Sequence, residues 1–248
     1  MARILAMDTS GGACSVALLH CDQSASVEVL HRHHQVARGH TDLLLPMVDE
    51  LLSLADVRLS QLDALALGHG PGSFTGLRIS AGVAQGLAFG AGLPVVSVSS
   101  LAAIARAALA QQPHGRKCRA LVCIDARMGE VYFGAYHGGL GAGTGDSVRE
   151  VEVIPLGAGD QLLTPDAIDL KSWLEPGVEH LLLGSGWGLV EPATSGEALP
   201  PFAAEVAAHA VDVAWLGLSA WRGGATLMPH QLEPVYLRDR VAWQKAKH

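Results

Sequence analysis

The sequence predicts the same order of elements twice, and this repetition constrains the fold more than any single motif does. The first half reads as three strands followed by helix, strand, helix, strand and helix, at 3–8, 14–19, 26–33, 40–55, 63–68, 75–91, 94–99 and 100–111. Because the later strands alternate with helices, we expect them to run parallel within one sheet.

The second half repeats a reduced version of this order. It reads as strands at 119–127, 130–137 and about 148–154, a helix at about 165–174, a strand at 180–184 and a helix at about 201–220. A polar segment with a proline, 111–119, separates the halves. We therefore predict a duplicated α/β fold with two lobes, 1–111 and 112–248, each with a mixed sheet flanked by helices, and the second ending in a C-terminal tail.

Composition and charge argue against several classes of protein. Hydrophobic residues make up 49% of the chain and mean hydropathy is +0.28, which suggests apolar surface buried against a partner. No apolar run approaches the roughly 20 residues of a membrane-spanning helix, and Asp8 interrupts the stretch where a signal peptide would continue. A net charge of −7 argues against a basic surface that binds nucleic acid unaided. We expect a cytoplasmic protein.

The four cysteines are expected to be buried thiols. They are Cys14, Cys21, Cys118 and Cys123, and all lie in or beside predicted strands without a CxxC spacing. Without a secretory signal, neither disulfides nor zinc ligands are favoured.

Residues 69–79, HGPGSFTGLRI, form a glycine turn between a predicted strand and a predicted helix. Gly70, Gly72 and Gly76 allow close approach of the backbone to a ligand or another element, and Ser73 or Thr75 can cap the helix. Helix N-terminal N–H groups can bind an anion, but the lysine of a P-loop is absent. The turn is therefore either an anion site or a tight connection that positions the helix.

The two helices at 40–55 and 75–91 carry the predicted partner surface. On the second, Gly82, Gly86 and Gly90 recur every four residues and share one face, which packs closely either on this protein's own sheet or on a partner. On the first, with Thr41 or Asp42 as its cap, apolar residues spread beyond one stripe. The predicted partner-interface residues are Leu43, Leu44, Met47, Val48, Leu51, Arg78, Gly82, Gln85 and Gly86.

Histidines cluster at His31, His33, His34 and His40. His31 and His33 share one face of a strand, which would provide two metal ligands. A hydrated strand end is the favoured interpretation, because no Asp or Glu on the same face completes a site. We predict no metal centre.

Several motifs together resemble those of the TsaB (YeaZ) family of bacterial tRNA threonylcarbamoyladenosine synthesis. They are ILAMDTS with ACSVAL, HGPGSFTGLRI, IDARMGEVY at 124–132, GSGW at 184–187 and EPVYLRDRVAW at 233–243. The resemblance runs from the first strand to the tail. It implies an actin-like, sugar-kinase-like (ASKHA) fold and a largely non-catalytic subunit.

The resemblance also implies the partners. This subunit would bind and activate TsaD through the first two helices, together with TsaE, and self-associate through the same face when TsaD is absent. It would meet tRNA through the complex. No cofactor would be tightly bound by this chain, with ATP or ADP at the partner junction. The helix-borne HxxxH pair with which TsaD-like proteins hold a metal is absent from this sequence.

In actin-like ATPases a carboxylate at the end of the first strand holds magnesium-bound water, and Asp8 takes that place here. With Thr9, Ser10, Gly70, Gly72 and Ser73 it is predicted to form a vestigial phosphate site. In the second half, Asp125 is followed by Arg127, which would crowd a phosphate turn and form salt bridges of its own. The alternatives are a hairpin-turn role for Asp8, an independent ATPase or kinase, and a peptidase, for which no Ser-His-Asp or HExxH pattern is evident.

Trp187 after the GSG turn, and the aromatic and basic residues of the tail, are less informative. Trp187, Tyr236 and Trp243 either stack on a base or pack on the neighbouring lobe. The basic side chains form a solvated tail or meet tRNA placed by the partner, and they are Arg238, Arg240, Lys245 and Lys247.

Overall fold

The computed structural model describes residues 1–22, 26–36, 39–113, 116–140, 151–193 and 199–238. Within these ranges, ten strands form two five-stranded sheets. The strands are β1 Ala2–Asp8, β2 Ala13–Cys21, β3 Val27–Gln35, β4 Ala64–Gly68, β5 Val95–Val98, β6 Cys118–Arg127, β7 Glu130–Leu140, β8 Val151–Leu163, β9 Glu179–Leu183 and β10 Phe202–Ala203.

The two sheets have the same topology. The first has the order β3-β2-β1-β4-β5, and the second has the order β8-β7-β6-β9-β10. In each, the first three strands along the chain pair antiparallel, and the fourth and fifth are parallel to the first. This repeat confirms the predicted duplicated ASKHA fold.

Six α-helices among the described residues cover these sheets. They are α1 His40–Leu54, α2 Phe74–Ala91, α3 Ser100–Leu109, α4 Leu170–Trp173, α5 Trp187–Ala193 and α6 Ala210–Arg222. Helices α1 and α2 pack on the outer face of the first sheet, whereas α3 and α6 lie between the sheets. Of the helices that the structure describes, none is long and apolar enough to cross a bilayer.

One hydrophobic core runs between the two sheets. It joins Ile4 and Leu19 of the first sheet, Val122 of the second, and Val213 of α6. Helix α6 sits so close to the first sheet that a Cβ on Gly217 would lie 2.5 Å from the Cβ of Ala66. Two further clusters fill the outer faces, one under α1 and α2 and one around Trp187. All four cysteines are free and buried, as expected.

Two helices mark the points where the described chain passes between the sheets. From β5 it enters α3, which packs on β6, β7 and β8, and after β10 it returns as α6, which packs on β1, β2 and β4. Helix α6 and Leu227 therefore contact the first sheet, although the sequence groups them with the second lobe.

Three predicted elements differ from the structure. The helix expected at 165–174 is a 3-10 turn, Pro165–Ala167, followed by the single turn α4. The helix expected from 201 begins at Ala210, because Phe202 and Ala203 pair with β9 and this pairing overrides helix propensity. The strand expected near 148–154 extends to Leu163, and 148–150 lie outside the described residues.

The helix caps also differ in part. Gly39, in a left-handed conformation, precedes α1 and neither Thr41 nor Asp42 caps it. Ser73 caps α2 as one of the two predicted candidates, since its hydroxyl accepts from the N–H of Gly76. Helix α5, which follows the GSG turn, was not predicted.

Candidate functional site

Asp8 ends β1 as a fully buried carboxylate with only internal partners among the described residues. Its Oδ1 accepts from the N–H and the hydroxyl of Ser10 at 2.9 and 2.8 Å, and its Oδ2 accepts from the hydroxyl of Ser100 at 3.1 Å. Burial raises the pKa of Asp8 from 3.8 to about 6, and the hydrogen bonds from Ser10 and Ser100 oppose this shift.

The glycine turn packs directly on the residues that follow Asp8. The Thr9 hydroxyl donates to the carbonyl of Gly76 at 2.7 Å, and the Ser73 N–H donates to the carbonyl of Ser10 at 2.7 Å. A Cβ on Gly72 would lie 2.4 Å from the backbone carbonyl oxygen of Ser10, and a Cβ on Gly76 would lie 1.8 Å from the backbone carbonyl oxygen of Thr9. The glycines at 72 and 76 therefore make room for the first hairpin of this chain.

This packing does not suit a phosphate group. Asp8, Thr9, Ser10, Gly70, Gly72 and Ser73 do come together as the sequence suggests. Yet the space that glycines leave for phosphate in nucleotide sites is taken here by backbone oxygens of Thr9 and Ser10, which repel an anion. The vestigial phosphate site stays a prediction that the geometry does not favour.

A cleft of about 600 Å³ opens between the two sheets beside this turn. Ser10, Ser73 and Phe74 line one wall, and Asp125 and Arg127 line the other. Arg127 is highly exposed, and its guanidinium pairs with Asp125 at 3.1 Å, which confirms the salt bridge expected from the sequence. Both Arg127 and Met128 have left-handed backbone, with φ of 67° and 59°, a conformation costing about 1–2 kcal/mol per residue.

Arg238 stabilises this strained turn from the far end of the chain. Its guanidinium donates to the carbonyls of Ala126 and Arg127, both at 3.2 Å, and to the carboxylate of Glu130. The expectation of a solvated Arg238 is therefore wrong, because the side chain is only 19% exposed. Arg240, Trp243, Lys245 and Lys247 lie outside the described residues.

The aromatic side chains near the tail pack within the chain. Trp187 is fully buried and its indole N–H donates to the carbonyl of Leu121 at 3.2 Å. Tyr236 lies 5.3 Å from the ring of Phe74, and its hydroxyl accepts from Arg78 Nε at 3.0 Å. Packing on the neighbouring lobe is thus confirmed for Tyr236, whereas Trp187 packs within its own half of the chain.

The structure corrects the predicted partner surface on α1. Leu44, Met47, Val48 and Leu51 are buried in the core against the first sheet, so they are not available to a partner. Leu43 is half-buried, whereas Leu45 and Leu54 are exposed at 49% and 59%. The apolar residues that α1 offers to solvent are therefore different from those selected from the sequence.

The outer face of α2 is open. Gly82, Gly86 and Gly90 are exposed, and a Cβ on any of them would meet no atom within 4 Å other than those of its own helical turns, so packing on the protein's own sheet does not explain them. Phe89 stands beside them with 83% of its surface exposed. Arg78 is also exposed on this helix, and Gln85 is half-buried, donating to the carbonyl of Leu232 at 2.8 Å.

Sequence reasoning missed two exposed apolar side chains, Phe89 on the open face of α2 and Leu45 on α1. Phe89 follows Gly82 and Gly86 by seven and three residues, so helical spacing was sufficient to find it. A groove of about 560 Å³ runs between α1 and Leu87 of α2, and neither Phe89 nor the three exposed glycines line it. Leu45 and Asp49 of α1 line this groove.

His209, the residue that precedes α6, adds a third ring to the histidine cluster. His209 stacks on His33 with centroids 4.6 Å apart and meets the edge of His31 at 5.2 Å. Its Nδ1 accepts from the N–H of Val211 and so caps α6. Burial lowers the pKa of His209 to about 4, and the neighbouring histidines add to this. Across the described ranges, no three His, Cys, Asp or Glu side chains are placed to hold a metal ion.

A family model and two curated relatives match most or more than half of this chain. A family model described as "TsaD: tRNA N6-adenosine threonylcarbamoyltransferase" matches residues 32–176. The tRNA threonylcarbamoyladenosine biosynthesis protein TsaB of Haemophilus influenzae is 36% identical over 249 residues, covering 98% of this chain and 96% of that protein. TsaB of Escherichia coli is 37% identical over 257 residues, covering 98% and 97%.

Solved structures give the same result in three dimensions. The structure described as YeaZ from Pseudomonas aeruginosa has a TM-score of 0.78 at 38% identity, covering 96% of this chain and 100% of that one. A second Pseudomonas aeruginosa structure, described as an uncharacterized protein with similarity to peptidase YEAZ, has a TM-score of 0.80 at 39% identity with the same coverage. The similarity therefore includes both sheets.

Proposed function

Because the chain belongs to the TsaB (YeaZ) family, we propose that it is a required, largely non-catalytic subunit for N6-threonylcarbamoylation of adenosine 37 in tRNAs that read ANN codons. In this role it binds and activates TsaD, which together with TsaE transfers threonylcarbamoyl from threonylcarbamoyl-AMP to tRNA. The observation that carries the proposal is the open apolar face of α2, with Gly82, Gly86 and Phe89.

The state of Asp8 supports the non-catalytic role. A carboxylate that holds magnesium-bound water must face the ligand, but Asp8 is buried and receives its hydrogen bonds from Ser10 and Ser100. ATP or ADP is accordingly proposed at the junction with TsaD, without tight binding by this chain. The alternative is an independent ATPase or kinase of this fold, for which the cleft of about 600 Å³ is the only favourable feature in the described part of the chain.

The exposed face of α2 suits a protein partner. Exposed glycines at 82, 86 and 90 let the backbone of a second helix approach closely, and Phe89 provides a large apolar contact next to them. We propose TsaD as the occupant of this face, and a second copy of this chain when TsaD is absent. tRNA is then contacted through the assembled complex, in the cytoplasm.

The test uses two substitutions on this face. Gly86→Leu fills the open space and Phe89→Asp places a charge on it, and neither side chain is part of the core. We expect each to reduce co-purification with TsaD, and t6A formation with TsaD and TsaE, by at least about tenfold, as for other interface hot spots. Leu174→Asp, at a 37% exposed position beside the second sheet, is the matched control and should reduce neither.

Two results would reject the proposal. One is equal loss, or equal retention, of TsaD binding in the two α2 variants and in Leu174→Asp. The other is t6A formation by this chain alone at the rate of the complete set. The ATPase alternative would be favoured if the isolated chain hydrolyses ATP, if Asp8→Asn abolishes this activity, and if Phe89→Asp leaves it unchanged.

A further inference from the structure

Two consecutive serines occupy the point at which the chain first crosses between the sheets. Strand β5 of the first sheet ends at Val98, and α3, which packs on the second sheet, begins at Ser100. Ser99 lies between them as the cap of α3, accepting from the N–H of Ala102 at 3.0 Å. These residues are therefore one of the points at which a change in the angle between the sheets would alter the backbone.

Ser100 is bound to the first sheet. Its hydroxyl donates to Asp8 Oδ2 at the end of β1 and accepts from the N–H of Gly70 at 3.2 Å. Its own N–H donates to the carbonyl of Gly70 at 2.8 Å. With 2% of its surface exposed, Ser100 has no water to compensate for losing these partners.

Ser99 is bound to the second sheet. Its hydroxyl donates to Asp160 Oδ2 at 2.6 Å and lies 3.2 Å from the hydroxyl of Tyr136. Tyr136 of β7 in turn donates to Asp160 Oδ1. Burial and the charge of Asp160 raise the pKa of Tyr136 above its usual value, so the phenol keeps its proton and acts as a donor.

The second sheet departs from regular pairing to place Asp160 there. The register of β7 with β8 jumps from Phe133↔Gln161 to Ala135↔Leu156, so residues 157–160 form an excursion from the ladder. Within it Gly157 and Gly159 have left-handed backbone. Opposite it, a Cβ on Gly134 would lie 2.8 Å from both Asp160 Oδ1 and the Tyr136 hydroxyl, so only glycine leaves room for this pair.

We propose that Ser99 and Ser100 form a two-sided latch that fixes the angle between the sheets, with Asp160 and Tyr136 holding one serine and Asp8 holding the other. The role of Asp8 is then to hold Ser100 at the end of β1 and so to fix the relative position of the two sheets. The latch sets the width of the cleft, because Ser10 and Ser100 lie on one side of it and Asp125 and Arg127 on the other. It also fixes α2 relative to the turn between β6 and β7.

The experiment measures the angle directly. Spin labels on Ser60→Cys, exposed beside the first sheet, and Leu174→Cys, beside the second, report the distance between the sheets by pulsed electron resonance. The four native cysteines are buried and will not compete for the label. Asp160→Asn and Tyr136→Phe each remove one part of the latch with little change in shape. Ser80→Ala is the control, since the Ser80 hydroxyl is buried but bonds only within α2.

We expect Asp160→Asn and Tyr136→Phe each to broaden the distribution of distances between the two spin labels. Ser80→Ala should show the same narrow distribution as the parent protein. Amide exchange at Ala102 should accelerate by about tenfold or more, the usual effect of losing a hydrogen bond to a charged group. Unchanged distributions in both latch variants, or equal broadening in Ser80→Ala, would overturn the proposal. If Asp160→Asn does not fold, Tyr136→Phe, which removes one oxygen atom, decides the outcome.

Discussion

Asp8 carries a buried carboxyl group whose protonation is coupled to folding. Burial raises its pKa from 3.8 to about 6 in the folded protein. Between these values the folded protein binds the proton more tightly than the unfolded chain, so the free energy of unfolding decreases as the pH rises from about 4 to 6. A difference of about two pKa units corresponds to about 3 kcal/mol.

Replacement of Asp8 by Asn should remove this slope. The carboxamide keeps the shape and can still accept from Ser10, but it does not titrate. We expect the free energy of unfolding of Asp8→Asn, measured in urea from pH 4 to 7, to lose the decline that Asp8 contributes. Asp166→Asn at an exposed position is the control and should keep the parent profile. The same decline in Asp8→Asn would contradict the assignment.

Titration of His209 changes the free energy of unfolding over an overlapping pH range, but in the opposite direction. Burial lowers its pKa from 6.5 to about 4, with contributions from His33 and His31. The unfolded chain then binds the proton more tightly, so this contribution to stability is complete above pH 6.5 and is lost as the pH falls through 4. Protonation would also remove the Nδ1 acceptor that caps α6 and place a positive charge at its N-terminus.

The variant His209→Asn separates capping from titration. Its side-chain oxygen can replace Nδ1 as the acceptor for the Val211 N–H, because Asn is a good N-cap. We expect His209→Asn to lose less stability than the parent between pH 6.5 and 4, as followed by circular dichroism in urea. His137→Asn, an exposed exchange on β7, should not change the profile. Equal acid sensitivity in parent and His209→Asn would refute this role.

At the scale of elements, local patterns were sufficient for most strands and for α2. Alternating apolar residues and flanking glycines predicted β1, β2 and β4 to within about two residues. The face of α1 was misjudged although the signal was present, since Leu44, Met47, Val48 and Leu51 follow the i, i+3, i+4, i+7 spacing of one buried stripe. Counting every leucine on the helix hid that stripe.

Contacts between distant elements could not be predicted from local patterns. His209 joins His31 and His33 across about 175 residues of chain, and Arg238 reaches a turn more than 100 residues earlier. Hydrophobic periodicity contains no information on such pairs. The excursion in β8 that brings Asp160 to Ser99 was missed for the same reason. Its hydrogen-bond partner is a helix cap in the other half of the chain.

Helix α2 combines low intrinsic stability with an open face. Gly82 and Gly86 lie inside the helix, and each costs about 0.5–1 kcal/mol relative to alanine. A methyl group at either position would meet no atom within 4 Å other than those of its own helical turns. Gly82→Ala and Gly86→Ala should therefore each raise the free energy of unfolding by about 0.5–1 kcal/mol, as measured by urea denaturation.

The same two changes should weaken the proposed TsaD contact, because the added methyl groups occupy the surface that the second helix approaches. Increased stability with reduced binding is the expected combination, and Gly224→Ala, at a left-handed glycine outside the helix, should instead reduce stability. Increased stability with unchanged TsaD affinity in a pull-down titration would remove the glycine face from the interface.

At the scale of the molecule, the segment 227–238 ties the layers together. Leu227 bridges to Val95 of β5, and the Leu232 carbonyl accepts from Gln85 of α2. The Val235 N–H donates to the carbonyl of His69 beside the glycine turn at 3.1 Å. Arg238 then reaches the turn between β6 and β7 in the second sheet. The segment therefore connects the proposed partner helix, the glycine turn and the second sheet.

The anchor of this segment should contribute more than an ordinary surface ion pair. Arg238→Ala removes charge-assisted bonds to Ala126, Arg127 and Glu130, so we expect a loss of about 1.5–3 kcal/mol in urea denaturation. Arg238→Lys should recover only part of this, since an ammonium lacks the planar fork that reaches two carbonyls and a carboxylate together. The control is Arg32→Ala, whose pair with Glu50 is solvent-exposed and should contribute clearly less to stability. Equal losses in Arg238→Ala and Arg32→Ala would mean that the segment does not join the layers through this residue.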